Sequence, residues 1–165
     1  MCALRLATRS LLRARPAAAS LRGAVRTYAD VPADKIRLSL TLPHQIIYEG
    51  VDVVQVNIPA VTGDLGVLAS HVPTIEELRP GVIDIVEDGG ATKQYFVSGG
   101  FATVQPGSVL SINAVEAYPV EDFSAEAIRA QLAEAQKNST SGSEIDQVEA
   151  KIELEVLEAL SAVAK

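Results

Sequence analysis

Closely spaced glycine and proline residues between positions 62 and 107 constrain this chain more than any other feature. They separate apolar stretches that are too short to form helices. The backbone must therefore reverse its direction repeatedly while each short piece still reaches a common core. The pattern predicts a compact β-domain built from short strands and tight turns.

Two-residue periodicity extends this prediction toward the N-terminus. Aliphatic residues at every second position from 36 to 42 alternate with polar ones, which places them on one face of a strand. A second alternating run, Val54, Val56 and Ile58, predicts another strand that faces the core. Asp88-Gly-Gly between two further apolar runs is typical of a hairpin turn. Successive strands without intervening helices predict an antiparallel β-sandwich over residues 29–120.

Pro59, Gly63 and Gly66 lie around one acidic residue, Asp64. Proline interrupts a central strand because it lacks the amide proton, and glycine tolerates positive φ. These residues predict a tight turn centred on Asp64.

Residues 121–165 have a helical composition. The run over residues 125–137 is rich in Ala, Glu and Gln, and Ser124 precedes it at a capping position. After a polar linker, Ser143 and Asp146 have the spacing of a capping box. The sequence therefore predicts a C-terminal antiparallel helical hairpin that follows the sandwich.

The faces of this hairpin can also be predicted from helical periodicity. We expect a stripe of the second helix to face the first helix at Ile128, Leu132 and Ala135. That stripe comprises Ile145, Val148, Ile152, Val156 and Val163. Three further leucines, Leu154, Leu157 and Leu160, widen the apolar surface, and we expect them to meet either the sandwich or another subunit.

The first 28 residues differ in kind from the rest. They contain six arginines and no acidic residue, and part of the run could form a basic amphipathic helix. Such a composition is typical of a mitochondrial or chloroplast transit peptide. Arg-Thr-Tyr-Ala resembles a matrix-peptidase site, so we expect cleavage between Tyr28 and Ala29, in a mitochondrial protein. A basic arm that binds nucleic acid or lipid is the alternative.

Removal of this segment leaves a strongly acidic protein. Eight of the 14 Lys and Arg residues remain against all 21 Asp and Glu residues, a net charge of −13. Such a surface repels phosphate groups and argues against a nucleic acid partner. The one cysteine, Cys2, falls in the expected presequence, which excludes disulfide and thiolate chemistry from the mature form.

Residues suited to catalysis are scattered. His44 and His71 are far apart, and neither has a second ligand at a metal-binding spacing. Ser98-Gly-Gly lacks the Gly-x-Ser-x-Gly pattern and is interpreted as a turn that needs positive φ. Glu76 and Glu77 are adjacent in an extended segment, so their side chains point apart, as on a solvated strand edge. We expect no catalytic, cofactor-binding or metal-binding residues, and no enzyme.

The order and spacing of the turns, in Thr62-Gly-Asp-Leu-Gly, Ser70-His-Val-Pro, Arg79-Pro-Gly and Phe96-Val-Ser-Gly-Gly, resemble those of the rotor-stalk delta/epsilon subunits of F-type ATP synthases. The resemblance covers residues 36–138. It implies a non-catalytic rotor subunit that binds the gamma subunit, rests on the c-ring and, in mitochondria, packs against a further small subunit called epsilon. Membrane association would come only through the c-ring. The matching c-ring-facing residues are Asp64 and His71, although His71 could equally be a buried turn residue.

The resemblance also bears on the hairpin. In bacterial members it can extend and inhibit the enzyme through basic residues of the second helix. Here that helix is predominantly acidic, so we expect the hairpin to stay folded. A small enzyme and a freestanding β-sandwich binding module are the rival classes.

Overall fold

The computed structural model describes residues 34–141 and 143–164. In this part of the chain, ten strands precede a short 3-10 helix and two α-helices. The strands are β1 (Ile36–Thr41), β2 (Ile46–Val53), β3 (Gln55–Ala60), β4 (Gly63–Leu68), β5 (Thr74–Leu78), β6 (Gly81–Val86), β7 (Thr92–Val97), β8 (Gly100–Gln105), β9 (Val109–Ala114) and β10 (Ala117–Pro119). The 3-10 helix covers Val120–Asp122, and the α-helices are α1 (Ala125–Asn138) and α2 (Glu144–Ser161).

The strands form two layers that are continuous at one corner. One layer has the order β10-β7-β6-β3 with β4 paired to β3, and the other has the order β5-β8-β9-β1-β2. A single residue pair between β3 and β5, Ala60 with Leu78, connects the layers. Within the described residues every pairing is antiparallel apart from β1 with β9. The predicted sandwich is thus confirmed.

The core lies between the two layers and follows the predicted alternation. Ile36, Leu38 and Leu40 are at most 1% exposed, and they pack with residues of β3, β6, β8 and β9. The predicted second strand is only partly correct. Val56 and Ile58 are buried, but Val54 lies between β2 and β3 and is 38% exposed.

The predicted turn around Asp64 is wrong. The chain reverses at Val61 and Thr62, and Asp64 already belongs to β4, where it pairs with Pro59. Gly63 has a φ of +132°, whereas Gly66 is not among the glycines with positive φ. Pro59 has no amide proton to donate in β3, but its carbonyl accepts the amide N–H of Arg79 at 3.0 Å.

The turn at Ser98-Gly-Gly is confirmed as an architectural feature. Gly99 and Gly100 have φ values of +151° and +146°, which favour glycine. A Cβ on Gly100 would lie only 2.2 Å from the carbonyl oxygen of Asn113 on the neighbouring strand. Glycine at this position lets β8 and β9 pair directly after the turn.

The C-terminal hairpin is also confirmed, with α1 and α2 packed against each other. Ser143 and Asp146 form the predicted capping box: the Ser143 Oγ accepts the Asp146 amide N–H at 3.3 Å, and Asp146 accepts the Ser143 amide N–H at 2.9 Å. Ser124 occupies the N-cap position of α1, but its side chain makes no capping hydrogen bond.

The predicted seam of the hairpin is wrong for much of α2. Ile145, Val148 and Ile152 are 51–70% exposed, whereas Ala150, Leu157 and Leu160 are buried. The sandwich supplies the physical reason. Leu157 and Leu160 pack with Phe96 of β7 and with Ile128 and Ala135 of α1, so α2 turns its leucines toward both neighbours at once. Contact of these leucines with the sandwich, one of the two expected alternatives, is confirmed.

Two predictions concern residues outside the part of the chain that the structure describes. The transit peptide over residues 1–28 and its cleavage between Tyr28 and Ala29 lie outside the described residues. Within residues 34–141 and 143–164, neither helix is long and apolar enough to cross a membrane.

Candidate docking surface

Asp64 and His71 lie toward opposite ends of one edge strand. Within the described residues β4 pairs with β3 and with no other strand. Asp64 is its second residue, and His71 follows its far end in the loop toward β5. The strand rises about 3.3 Å per residue, so the step from Asp64 to Leu68 alone covers roughly 13 Å. One partner contacts both residues only if it lies along this strand. We call β4 with the flanking residues 61–62 and 69–73 the β4 edge.

The carboxylate of Asp64 already has a partner within the chain. Arg79 Nη2 donates to Asp64 Oδ1 at 2.7 Å. The Asp64 side chain is 77% exposed and that of Arg79 is 47% exposed, so both remain accessible to another molecule. Arg79 occupies the corner between β5 and β6, where its backbone N–H donates to Pro59.

Two further contacts hold the β3–β4 turn against β5. The amide N–H of Val61 donates to the Glu77 carbonyl at 2.9 Å. Thr62 Oγ1 donates to one oxygen of the Glu76 carboxylate at 3.0 Å, and Thr74 Oγ1 donates to the other at 3.0 Å. Glu76 thus receives two hydroxyls, while its neighbour Glu77 is exposed. The contacts of Glu76 are those of a structural residue that fixes a turn.

His71 is partly exposed, so it is not a fully buried turn residue, and its contact with the c-ring stays a prediction. Its ring Nδ1–H donates to the Val72 carbonyl at 2.8 Å, and its amide N–H donates to Leu68 at 3.2 Å. The preceding residue, Ser70, has a φ of +61° and donates its amide N–H to Ser108 Oγ at 2.9 Å. The loop that carries His71 is therefore fixed to the turn between β8 and β9.

Exposed apolar side chains accompany the polar ones along the β4 edge. Val61 is 60% exposed, Leu68 is 51% exposed and Val72 is 74% exposed. Sequence reasoning missed these three because it predicted no strand between residues 63 and 68. The two-residue spacing of Leu65 and Val67, which lie opposite Ile58 and Val56, is too short a signal to separate a strand from a turn.

The centre of the outer face of the second layer is uncharged, and its charged residues, Arg37 with Asp52 and Glu77, lie toward its edges. Thr103 pairs with Ser111, and Ser111 pairs with Ser39, so three small hydroxyl residues form a row across β8, β9 and β1. They alternate along their strands with buried residues and therefore face outward. Ile75 and Phe101, on the same layer, are 72% and 55% exposed. A charge-poor face of this kind contrasts with the acidic composition of the chain.

A cluster of ionisable groups lies near the β6–β7 turn. The Tyr48 hydroxyl donates to Glu87 at 3.1 Å, and Lys93 pairs with Glu87 at 2.7 Å. Burial raises the pKa of Tyr48 above its usual value, and the hydrogen bond from Lys93 lowers the pKa of Glu87. The first shift favours the neutral phenol of Tyr48, and the second favours the charged carboxylate of Glu87 in its ion pair with Lys93. Both suit a structural contact. Among the described residues, no group of three or more His, Cys, Asp or Glu could hold a metal ion.

Two family models match the chain in succession. "ATP synthase, Delta/Epsilon chain, beta-sandwich domain" matches residues 35–119, and "Fungal epsilon subunit of F1F0-ATP synthase C-terminal domain" matches residues 123–162. The first match coincides with the two-layered sheet and the second with the helical hairpin.

Curated relatives match along the whole chain. The mitochondrial ATP synthase subunit delta of Neurospora crassa is 63% identical over 100% of both chains, and that of Yarrowia lipolytica is 58% identical over 92% of this chain and 93% of the relative. A solved structure of the Euglena gracilis mitochondrial ATP synthase, with OSCP, F1 and c-ring, contains a chain that is 37% identical. That match has a TM-score of 0.76 and covers 82% of this chain and 84% of the other. The present chain belongs to the delta/epsilon family of ATP synthase subunits, among its mitochondrial members.

Proposed function

We propose that this chain is a rotor subunit of the central stalk of the mitochondrial proton-translocating ATP synthase. It couples rotation of the c-ring to the gamma shaft and the catalytic hexamer, on the matrix side of the inner membrane. The observation that carries this proposal is the 63% identity to a mitochondrial delta subunit over the full length of both chains. The relative in the Euglena assembly, which includes F1 and the c-ring, supports the same role.

A non-catalytic role is part of the proposal. The groups that could suggest chemistry have structural contacts in the described residues. Glu76 receives two threonine hydroxyls, and Ser98 precedes two glycines that shape a turn. A subunit that transmits torque needs rigid contact surfaces and no reacting group, which agrees with these contacts.

The β4 edge is the proposed contact with the c-ring. Asp64 and His71 face polar loops of the ring. Val61, Leu68 and Val72 on the same edge add apolar contact area with the ring. Because β4 is an edge strand, a ring that lies along it reaches both ends of the strand. Hydrogen bonds at the β3–β4 turn and at the Ser70–His71 loop keep this edge rigid under load.

Separate surfaces suit the other two partners. The charge-poor outer face with the Thr103, Ser111 and Ser39 row is the proposed contact for gamma, since uncharged groups cost less to desolvate than charged ones. The exposed stripe of Ile145 and Ile152 is the proposed contact for the small mitochondrial epsilon subunit. This stripe replaces the leucines that the sequence suggested, because those leucines are covered by the sandwich.

The hairpin remains folded in the working enzyme under this proposal. Ile128, Leu157 and Leu160 are buried against Phe96, so extension would expose all four to water. The acidic second helix has Lys151 as its single basic residue, whereas bacterial members engage the catalytic subunits through several basic residues of this helix. Truncation after Lys137 should therefore leave the ATP hydrolysis rate of the complex unchanged, and a rise would contradict this part of the proposal.

The N-terminal segment carries the targeting function in the same proposal. Residues 1–28 act as a transit peptide that is removed between Tyr28 and Ala29, followed by a sandwich domain over residues 29–120 and a hairpin domain over residues 121–165. N-terminal sequencing of the mature subunit tests the cleavage. A mature chain that retains the arginines would overturn it.

Copurification and crosslinking test the rotor role. The mature chain should copurify with gamma and the c-ring, and cysteines introduced as Asp64→Cys and His71→Cys should form adducts with the c-ring. Glu158→Cys on the exposed side of α2 is the matched control and should give no c-ring adduct. Isolation only as a free monomer would favour the freestanding binding module instead.

A further inference from the structure

We propose that Arg79 tunes the docking of the β4 edge by holding Asp64 in an internal ion pair with which a basic partner must compete. This inference rests on the proposed contact between Asp64 and the c-ring. It adds a residue that sets the strength and salt dependence of that contact while acting through Asp64.

The position of Arg79 follows from the pairing of three strands. Pro59 lies opposite Asp64 across β3 and β4, and the Pro59 carbonyl accepts the amide N–H of Arg79. Arg79, Pro59 and Asp64 therefore occupy one row across the sheet. Gly81 contributes to this row, because a Cβ at that position would lie 2.8 Å from Pro59 Cβ. The close approach keeps the β5–β6 corner against β3 and leaves Arg79 within reach of Asp64.

The ion pair between Arg79 and Asp64 is weak enough for a partner to displace it. Its 2.7 Å separation gives a direct hydrogen bond, but its side chains are 47% and 77% exposed. Water and salt screen such a pair, so a partner can displace it at little cost. Arg79 thereby masks one oxygen of Asp64 without removing the carboxylate from the surface.

The effect of Arg79 on association follows from electrostatics. The unpaired carboxylate would attract a basic partner more strongly than the masked one does, and it would speed the encounter at low ionic strength. Arg79→Gln should therefore tighten binding to the c-ring about two- to fivefold at low salt, the range expected of an exposed ion pair. The binding constant of this variant should also fall more steeply as salt is added.

Binding of the mature chain to purified gamma–c-ring subcomplex, measured at low and at physiological salt, tests this proposal. With Asp64 present, the Arg79→Gln variant should bind the subcomplex more tightly than the wild type. In a chain that also carries Asp64→Asn, the Arg79→Gln substitution should not change binding. Arg79→Lys retains the charge and should restore binding close to the wild-type value. Lys93→Gln is the matched control. It removes one positive charge from the Lys93–Glu87 pair, which has the same 2.7 Å length, is partly exposed and lies away from the β4 edge, and it should leave binding unchanged.

The possible results separate the two proposals. Failure of the wild-type chain to bind the subcomplex would overturn the rotor function, and an Asp64→Asn variant that binds normally would overturn the Asp64 contact. If Asp64→Asn weakens binding but Arg79→Gln has no effect, Arg79 has no tuning role. An Arg79→Gln effect of equal size in both Asp64 backgrounds would also overturn the proposal, because Arg79 would then contact the partner directly.

Discussion

The two apolar clusters of this molecule differ in how completely their side chains are buried. In the sandwich, Leu38 and Ile112 come from paired strands and are fully buried between the layers. In the hairpin, Leu157 and Leu160 are buried only with the help of Phe96 from the sandwich, while Ile152 on the same helix is 61% exposed. The sandwich thus completes its own core, whereas the hairpin depends on a neighbour for one face and leaves another uncovered.

The largest expected effect is on the self-contained sandwich. Gly100→Ala should lower the free energy of unfolding by roughly 4 kcal/mol or more, because the new methyl group would collide with the Asn113 carbonyl in a backbone that cannot move. Urea denaturation followed by circular dichroism measures this loss.

A control separates the collision from backbone strain. Gly107→Ala places alanine at a φ of +83° but in open space, and it should cost about 1–2 kcal/mol. Equal losses at the two positions would mean that positive φ alone, rather than close strand approach, determines the cost at Gly100.

The second prediction tests whether folding of the hairpin depends on the sandwich while the sandwich stays folded without the hairpin. Leu157→Ala should destabilise docking of the hairpin by about 2–4 kcal/mol, since it opens a cavity beside Phe96 and Ile128. Hydrogen exchange should then rise in α1 and α2 and remain slow in β1, β8 and β9.

Ile152→Ala is the matched aliphatic control on the exposed side of α2. It should change the stability of the isolated chain by no more than about 0.5 kcal/mol. Faster exchange throughout the sandwich in Leu157→Ala would show that the two clusters unfold as one unit and would remove the contrast between them.

A third and smaller effect is expected within α2 alone. Ser143→Ala removes the hydroxyl that accepts the Asp146 amide N–H and should cost about 1 kcal/mol. The loss should appear as faster amide exchange in the first turn of α2, with the sandwich unchanged. Ser124→Ala is the control at the start of α1, where the side chain makes no capping hydrogen bond, and it should have a weaker effect.

The capping box also predicts a pH dependence of the hairpin. The hydrogen bond from the Ser143 backbone N–H lowers the pKa of Asp146 from its usual 3.8. The charged cap therefore stabilises the helix above pH 3.8, and this contribution is lost as the pH falls through the lowered pKa. The protection factors of amides in the first turn of α2, which correct for the pH dependence of intrinsic exchange, should fall in acid. Asp146→Asn should remove that fall, while Glu149→Gln should preserve it.

The sandwich was predictable because its signals are local. Alternation over residues 36–42 depends only on the two-residue period of a strand, and Asp88-Gly-Gly needs no distant partner to form a turn. The capping box of Ser143 and Asp146 is equally local. The family resemblance then supplied the partners and the role in a rotor, which composition alone does not contain.

The remaining features depend on contacts between distant segments. The pairs Ile145 with Ile152 and Ala150 with Leu157 both satisfy the helical period. Packing against distant residues, Phe96 with Val82 and Phe123, therefore decides which stripe is buried. The pairing of Asp64 with Arg79 likewise depends on how the β5–β6 corner meets β3. No local pattern specifies these choices.

The one parallel pairing in the sandwich has a consequence for the order in which the protein can be completed. Thr41 of β1 reaches Asn113 of β9, 72 positions later in the chain. A polypeptide that is made, or threaded through a membrane, from its N-terminus carries β1 without this partner until almost the entire sandwich has followed. Contacts so distant in sequence form late and slowly. Because β1 pairs with both β2 and β9, its layer is complete only after nearly the entire sandwich has been made.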